Sequence, residues 1–263
     1  MTKRQYLIVI FEPPRSASGI QDYTIHQVFK IFLMKKFKVF TIVVFCIVTR
    51  YSFAQDTAYI HPDVTEKGWE DIFVKGLSNA VFPKGVWSDT GGIITATKDE
   101  AIWSKDQYDD FVVDLDFKNA DGTNSGVIVH ASNIVEWIPH SVEIQIADDY
   151  SKEWSTVSPT WQCGAIFGHQ AATNKSLKKF GEWNHFTITC RGRKIWIALN
   201  GTLVNTCDMA LFTSAKKNPD GSDVPAWLSN PMATLPLHGQ IGFQGKHAGA
   251  PIYFRNIKIK KLS

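Results

Sequence analysis

From residue 69 onward the chain alternates apolar and polar positions with a period of two. Phe111, Val113, Leu115 and Phe117 alternate with Asp110, Val112, Asp114 and Asp116, the pattern of a half-buried strand with an acidic outer face. Val142, Ile144 and Ile146 alternate with Glu143, Gln145 and Ala147 in the same way. This reading predicts further strands at 92–97, 126–131, 164–167, 184–190, 194–199, 202–206, 239–244 and 252–261. Asp121-Gly122, Arg191-Gly192-Arg193 and Asn200-Gly201 punctuate them, and the last is a hairpin signal because both residues tolerate positive φ. With no helical periodicity of useful length between the strands, the pattern predicts an all-β protein, a two-sheet antiparallel sandwich of jelly-roll type. Residues 208–237, which include Asn218-Pro219-Asp220-Gly221, read as a long loop of the kind that forms lids or locally ordered excursions.

Composition agrees with a packed domain: of 263 residues, 44% are hydrophobic and 20% charged, which excludes a disordered or collagen-like chain. The formal charge of +3 is unevenly spread. Residues 1–54 carry eight Lys and Arg against Glu12 and Asp22, which leaves 20 Lys and Arg against 23 Asp and Glu in the remainder. That mildly acidic remainder lacks the basic footprint of a nucleic-acid binder, so no nucleic-acid partner is expected.

The basic amino-terminal part has its own logic. Lys35, Lys36 and Lys38 precede an apolar run over 39–48, and Ser52-Phe53-Ala54 then puts small residues three and one before a cut. This is the three-part pattern of a secretory signal peptide. The run is short of the roughly 20 residues that span a bilayer, and Cys46 lacks the small neighbours of a lipid-attachment site, so no permanent membrane anchor is expected. The expected organisation is an upstream extension over 1–33 from a misplaced start, a signal peptide over 34–54, and one exported domain over 55–263, periplasmic or extracellular, starting at Gln55. Export permits disulfides, yet the exported part holds only Cys163, Cys190 and Cys207. No CxxC or Cys/His cluster marks a structural zinc. If the strands bearing Cys190 and Cys207 flank a third, the two thiols lie near twice the ~4.8 Å strand spacing, too far for an unstrained bridge.

The segment Val142 to Asp148 carries the most chemistry. Period two puts Glu143 and Gln145 on one face while Val142, Ile144 and Ile146 enter the core, so one strand presents a carboxyl beside an amide. Asp148 has the other parity and joins them only if the strand end turns it. A solvated outer face is the simpler reading of the same pattern. All nine Trp lie between residues 69 and 227, as core packing and strand formers or as flat faces for sugar rings.

Several short pieces in order resemble the 3-keto-disaccharide hydrolase domain family: Gly68-Trp69-Glu70-Asp71-Ile72-Phe73, Asn124-Ser125-Gly126-Val127, Glu143-Ile144-Gln145-Ile146, Gly164-Ala165-Ile166-Phe167 and Gly181-Glu182-Trp183-Asn184. Leu199-Asn200-Gly201, Gly239-Gln240-Ile241-Gly242-Phe243-Gln244, His247 and Phe254-Arg255-Asn256-Ile257 continue the series. The resemblance spans nearly all of the exported part. It implies a concanavalin-like jelly roll with the site on the concave face and a small-molecule carbohydrate substrate. The family pattern usually has Arg where this chain has His130 and Tyr where it has Phe167, which leaves room for a different sugar orientation.

The chemistry implied is elimination. A ketone at C3 acidifies the C2 proton, a base removes it, and the bond from C1 to the aglycone oxygen breaks; water then adds, giving net hydrolysis. A base, an acid and a polariser of the ketone are needed. Glu143, His169 and His247 are the candidates to share the catalytic roles, with His130, Gln145, Asp148, Trp161 and Arg255 as substrate-binding candidates. His169 and His247 are equally readable as loop residues, and Arg255 as an ion-pair partner. A divalent metal held by Glu and His would also polarise the ketone. Two alternatives stand beside this reading. In a retaining glucanase, Glu143 and Asp148 would form the carboxyl pair. In a lectin-like module, the face would only bind glycans.

Overall fold

The computed structural model describes residues 65–263; the expected extension, signal peptide and start of the exported domain lie outside them. The strands run in the order β1 (Trp69–Asp71), β2 (Ala80–Val81), β3 (Trp87–Thr90), β4 (Ile93–Ala96), β5 (Ile102–Tyr108), β6 (Phe111–Asn119) and β7 (Asn124–Ala131). They continue with β8 (Val142–Ala147), β9 (Asn184–Arg191), β10 (Lys194–Leu199), β11 (Thr202–Asp208), β12 (Gly239–Phe243) and β13 (Ile252–Lys261). All pairings between them are antiparallel. The larger sheet follows β11-β10-β9-β6-β13-β4-β3 with β1 also on β13, and the smaller follows β2-β5-β12-β7-β8. The protein is a two-sheet antiparallel sandwich, as the alternation predicts.

Inward-facing residues of both sheets make one core. Phe243 of β12 meets Phe254 of β13 edge-to-face at 5.0 Å across the two layers, and Phe117 stacks on Phe186 at 4.8 Å. The meander β9-β10-β11 turns at Asn200 and Gly201, whose φ values of 51° and 78° are those of a tight hairpin. Cys190 and Cys207 both stand opposite Ile195 on the intervening strand, and all three cysteines of the described residues are buried and unbridged.

Two details depart from the sequence expectation and shape the site. Residues 164–167 form no full strand, yet they cover the outer edge of β8: Gln145 N donates to Ala165 O at 3.0 Å, Gly164 N to Gln145 O at 2.9 Å and Phe167 N to Glu143 O at 2.9 Å. The register between β12 and β7 also shifts at the level of His130, which has a φ of 56°. The long loop over 208–237 holds only two short turns of 3-10 helix, Met209–Leu211 and Met232–Thr234.

Candidate active site

Glu143 and Gln145 project from β8 on the face of the smaller sheet that points away from the core. Antiparallel pairing sets Glu143 opposite Ile128 and Gln145 opposite Gly126 of β7. The Glu143 side chain leans over Gly126, where a Cβ would stand 2.7 Å from its Cγ and 2.8 Å from its Cδ. Glycine in a strand interior here makes room for another side chain to lie against the backbone. Gln145 Nε2 donates to Asn124 Oδ1 at 2.8 Å, and Gln145 is 1% exposed. Its Oε1 is buried without a protein partner.

Around this floor stands a cleft of about 360 Å³ whose walls come from four separate segments. Trp137 and Ile138 come from the β7–β8 connection, and Trp154, Trp161 and Phe167 from the segment after β8. Trp227 comes from the long loop, and Gln244 and His247 from the β12–β13 connection. Trp161 meets Phe167 at 5.4 Å and Trp227 edge-on at 6.0 Å. Trp154 is fixed by its Nε1, which donates to Gly122 O at 3.0 Å. Such a site, mostly apolar with few polar groups, is the usual form of a small-molecule pocket, and Trp faces suit the C–H side of a sugar ring.

Two titratable groups meet here. Burial, with the negative charge of Asp99 adding to it, pushes the Glu143 carboxyl up to about 8, so it is protonated at neutral pH. His247 Nδ1 lies 2.6 Å from Asp99 Oδ2. With a proton held between Nδ1 and that carboxylate, Nε2 is the ring nitrogen left with a lone pair.

Of the sequence candidates, the structure brings together Glu143, Gln145, Trp161 and His247. The other four lie elsewhere. His169 is buried under the long loop, where its Nδ1–H donates to Asn218 Oδ1 at 2.9 Å while Asn218 Nδ2 donates to Gly168 O at 3.1 Å. Its ring packs edge-on against Phe212 at 5.6 Å, and burial lowers its pKa, so it holds the loop down. His130 is turned inward by its positive φ, 5.6 Å from Phe111, with Nδ1 bonded to Leu237 O at 2.7 Å. Burial pushes its pKa down to about 4. Asp148 is fully buried, accepting from Gly122 N at 3.0 Å and Tyr150 N at 3.3 Å. Arg255 belongs to the other sheet, where its Nε donates to Asp116 Oδ2 at 3.0 Å and its guanidinium lies 4.0 Å from the centroid of Trp183.

The displacement of Asp148 removes the second carboxyl that the retaining-glucanase alternative requires on this strand. For a divalent metal the cleft supplies one carboxyl, one imidazole and the side-chain amides of Asn124, Gln145 and Gln244. Among the described residues no three His, Cys, Asp or Glu side chains converge. The cleft residues that the sequence reading leaves out are Asn124, Trp137, Ile138, Trp154, Phe167, Trp227 and Gln244. Asn124, Phe167 and Gln244 sit inside the short pieces quoted above, and the tryptophans stand out only by residue type.

The model of a family described as the 3-keto-alpha-glucoside-1,2-lyase-like domain matches residues 64–260. Among solved structures, a candidate glycosyl hydrolase of Parabacteroides distasonis is 52% identical, with a TM-score of 0.72 over 74% of this chain and 99% of that one. A second protein from that organism, described in the same words, is 21% identical, with a TM-score of 0.61 over 74% of this chain and 94% of that one, and shares the fold. No curated protein matches the chain.

Proposed function

The chain belongs to the family of 3-keto-alpha-glucoside-1,2-lyase-like domains, and on that premise we propose that it cleaves the glycosidic bond of 3-keto-glycosides by elimination in the Trp-walled cleft. The observation that carries the reading is a protonated carboxyl, Glu143, in the same cleft as a histidine whose Nδ1 is held by Asp99. His247 Nε2 takes the C2 proton, the C–H electron pair forms the C1–C2 double bond, and the C1–O pair leaves with the aglycone oxygen. Glu143 gives that oxygen its proton. The logic is that of an acid and a base brought to one substrate from the same cleft. Asp99 acts through His247 by fixing its tautomer and steadying the imidazolium that forms. Trp161 and Trp227 present the aromatic walls against which the sugar ring packs. Water adding to the unsaturated keto-sugar completes the net hydrolysis. The part of the chain before Gln55 supports a matching proposal of export to the periplasm or the extracellular space.

The test is aglycone release from a 3-keto-glucoside and from its unoxidised parent. Only the ketone acidifies C2–H, so only the former is cleaved. Glu143→Gln loses roughly 10²-fold or more with a sugar or alkyl leaving group and recovers most of that with a nitrophenol, which departs without a proton. His247→Ala loses activity on both. Equal cleavage of both glycosides overturns the reading, and binding without cleavage of either assigns the protein to the lectin-like class.

A further inference from the structure

The cleft occupies only one end of its sheet face. Strand pairing aligns Val81, Trp103, Gly242, Ile128 and Glu143 in a single row across β2, β5, β12, β7 and β8. At ~4.8 Å per strand, Trp103 stands roughly 14 Å from Glu143 along the row and Val81 roughly 19 Å. The neighbours of opposite parity, Ile102, Ile241, Val127 and Ile144, lie in the core. Trp103 and Ile128 instead form a separate apolar cluster on the outer face, with Trp137 and Ile134 packed on it. Trp103 lies against Gly242, where a Cβ would stand 3.1 Å from its Cδ2. Next to this cluster is a second hollow of about 370 Å³. Val81, Phe82, Trp103, Ile134, Val135 and Trp137 line it, and Glu100 supplies its one charge. Trp137 lines both spaces and meets Trp103 edge-on at 6.1 Å. Val135 is 87% exposed and Val81 43%.

We propose that this hollow is the far end of the leaving-group subsite, and that it takes the distal ring of a flat apolar aglycone, two or more linked aromatic rings carried by the sugar that occupies the cleft. The inference rests on the function proposed above. A second sugar would bring several hydroxyls into a lining whose side chains offer at most one carboxylate and two indole N–H groups as hydrogen-bonding partners, leaving several of those hydroxyls without a side-chain partner. An aromatic ring asks for no such partners and gains from apolar contact with Trp103, Phe82 and Val135. The continuity of the row from Glu143 to Val81 is what makes the hollow part of one binding face. An aglycone of two linked rings that leaves at Glu143 carries its second ring past Trp137, which lines both spaces, toward Trp103.

The experiment compares biphenyl-4-yl and phenyl 3-keto-glucosides, which differ by the distal ring. The wild-type protein has a KM about tenfold lower for the biphenylyl compound, from roughly 60 Å² of ring surface removed from water. Val81→Asp and Val135→Asp together bring the two KM values close to each other while kinetics on the phenyl compound stay unchanged. If Val81→Asp lowers the melting temperature, Val135→Asp alone carries the measurement from its exposed position. Equal KM values in the wild type overturn the inference, as does a double variant that keeps the biphenylyl preference. A change of oligomeric size in the variants by light scattering, with the preference intact, overturns it in favour of a contact between copies. If no 3-keto-glucoside is turned over, the proposed function fails separately. Calorimetric binding of biphenyl-4-yl and phenyl glucosides then reads the subsite: a biphenylyl preference lost in the variants supports it, and equal affinities overturn it.

Discussion

Replacing Glu143 by Gln should stabilise the empty protein, and by an amount that grows with pH. In the unfolded chain this carboxyl titrates near its ordinary value of 4.5, while burial in the folded cleft pushes it up to about 8. Between those values the folded state holds a proton that the unfolded state has released, so folding must take one up. A group whose folded pKa is raised loses its contribution as pH rises, here across the window from 4.5 to about 8. The loss runs at about 1.4 kcal/mol per pH unit, and near pH 7 it has reached about 3 kcal/mol. For a domain near 200 residues this corresponds to roughly 6–12 °C in Tm. Gln fills the same space over Gly126 and has nothing to ionise. Its own offset, from whatever hydrogen bonds it gains or loses, does not vary with pH, so the slope is the measurement. Other displaced groups, Asp149 pushed up to about 6 by burial and His130 pushed down to about 4, are common to both proteins and cancel in the difference. Thermal melts of wild type and variant at intervals from pH 4.5 to 9 should show a Tm gap that opens above pH 5 and levels off beyond pH 8. A gap constant across the range would mean that Glu143 is ionised in the folded cleft, and the assignment of the acid would fall with it.

The proposed proton donor gives a kinetic counterpart: kcat/KM on a 3-keto-glucoside with a sugar leaving group should decline as pH rises through about 8, and a profile flat to pH 10 would sink the donor role. Gly126→Ala should cut turnover by roughly 10²-fold, because the new methyl occupies the space of the Glu143 side chain; wild-type turnover in a folded variant would show that the placement of Glu143 does not matter. On the other sheet His185 sits 3.0 Å from Asp114 and 2.9 Å from Asp116, and the hydrogen bond to Asp114, opposed by burial and joined by the one to Asp116, raises its pKa to about 9. Its imidazole should titrate near 9 by NMR and its stabilising effect should be full below 6.5 and lost as pH rises through 9; a midpoint at or below 6.5 contradicts the pairing. Protein recovered from the native host in exported form should begin at Gln55 or within a few residues, and an exported form beginning at Met1 would refute the cleavage boundary.

The elements that alternation makes legible are those that keep strict period two between tight turns. β9 and β10 alternate up to the hairpin at Asn200 and Gly201, and their pairing follows, while β11 pairs with β10 through a bulge that takes Ile197 opposite Asn205 and Ala198 opposite Leu203. β8 does the same, so the parity of Glu143 and Gln145 is readable from sequence. What alternation does not show is how deeply that face is covered. Gln145 is buried because residues 164–167 bond along β8 and because Trp137, Trp154 and Trp161 arrive from segments with no period of their own. β5, Ile102–Tyr108, carries Ser104, Lys105, Asp106 and Gln107 in succession and gives no strand signal; its place between β2 and β12 is fixed by neighbours distant in the chain. Arg255 shows a different limit. Its strand is readable, but the choice of sheet is a matter of topology, and β13 lies in the larger one. The acidic outer face expected on β6 is likewise covered: Asp114 is 5% exposed, accepting from Thr187 Oγ1 at 2.8 Å beside His185.

His130 and the two strand glycines show how local backbone decides what period two leaves open. Counting by twos along β7 from Gly126 through Ile128 puts His130 on the cleft face with them. The positive φ at His130 breaks the count, the register with β12 shifts there, and the ring turns onto Phe111 instead. Gly126 and Gly242 work in the opposite direction, since a glycine inside a strand marks a place where something large approaches the backbone closely. Beneath Glu143 lies Gly126 and beneath Trp103 lies Gly242. Each sits in a short piece that is weak as a motif, Asn124-Ser125-Gly126-Val127 and Gly239-Gln240-Ile241-Gly242. Each has a physical reason to be glycine that concerns the face and not the fold. One glycine lets a carboxyl lie down where it loses contact with water and keeps its proton. The other lets an indole lie flat and give the same face an apolar floor, so an acid and a surface for its leaving group are set along one row of one sheet.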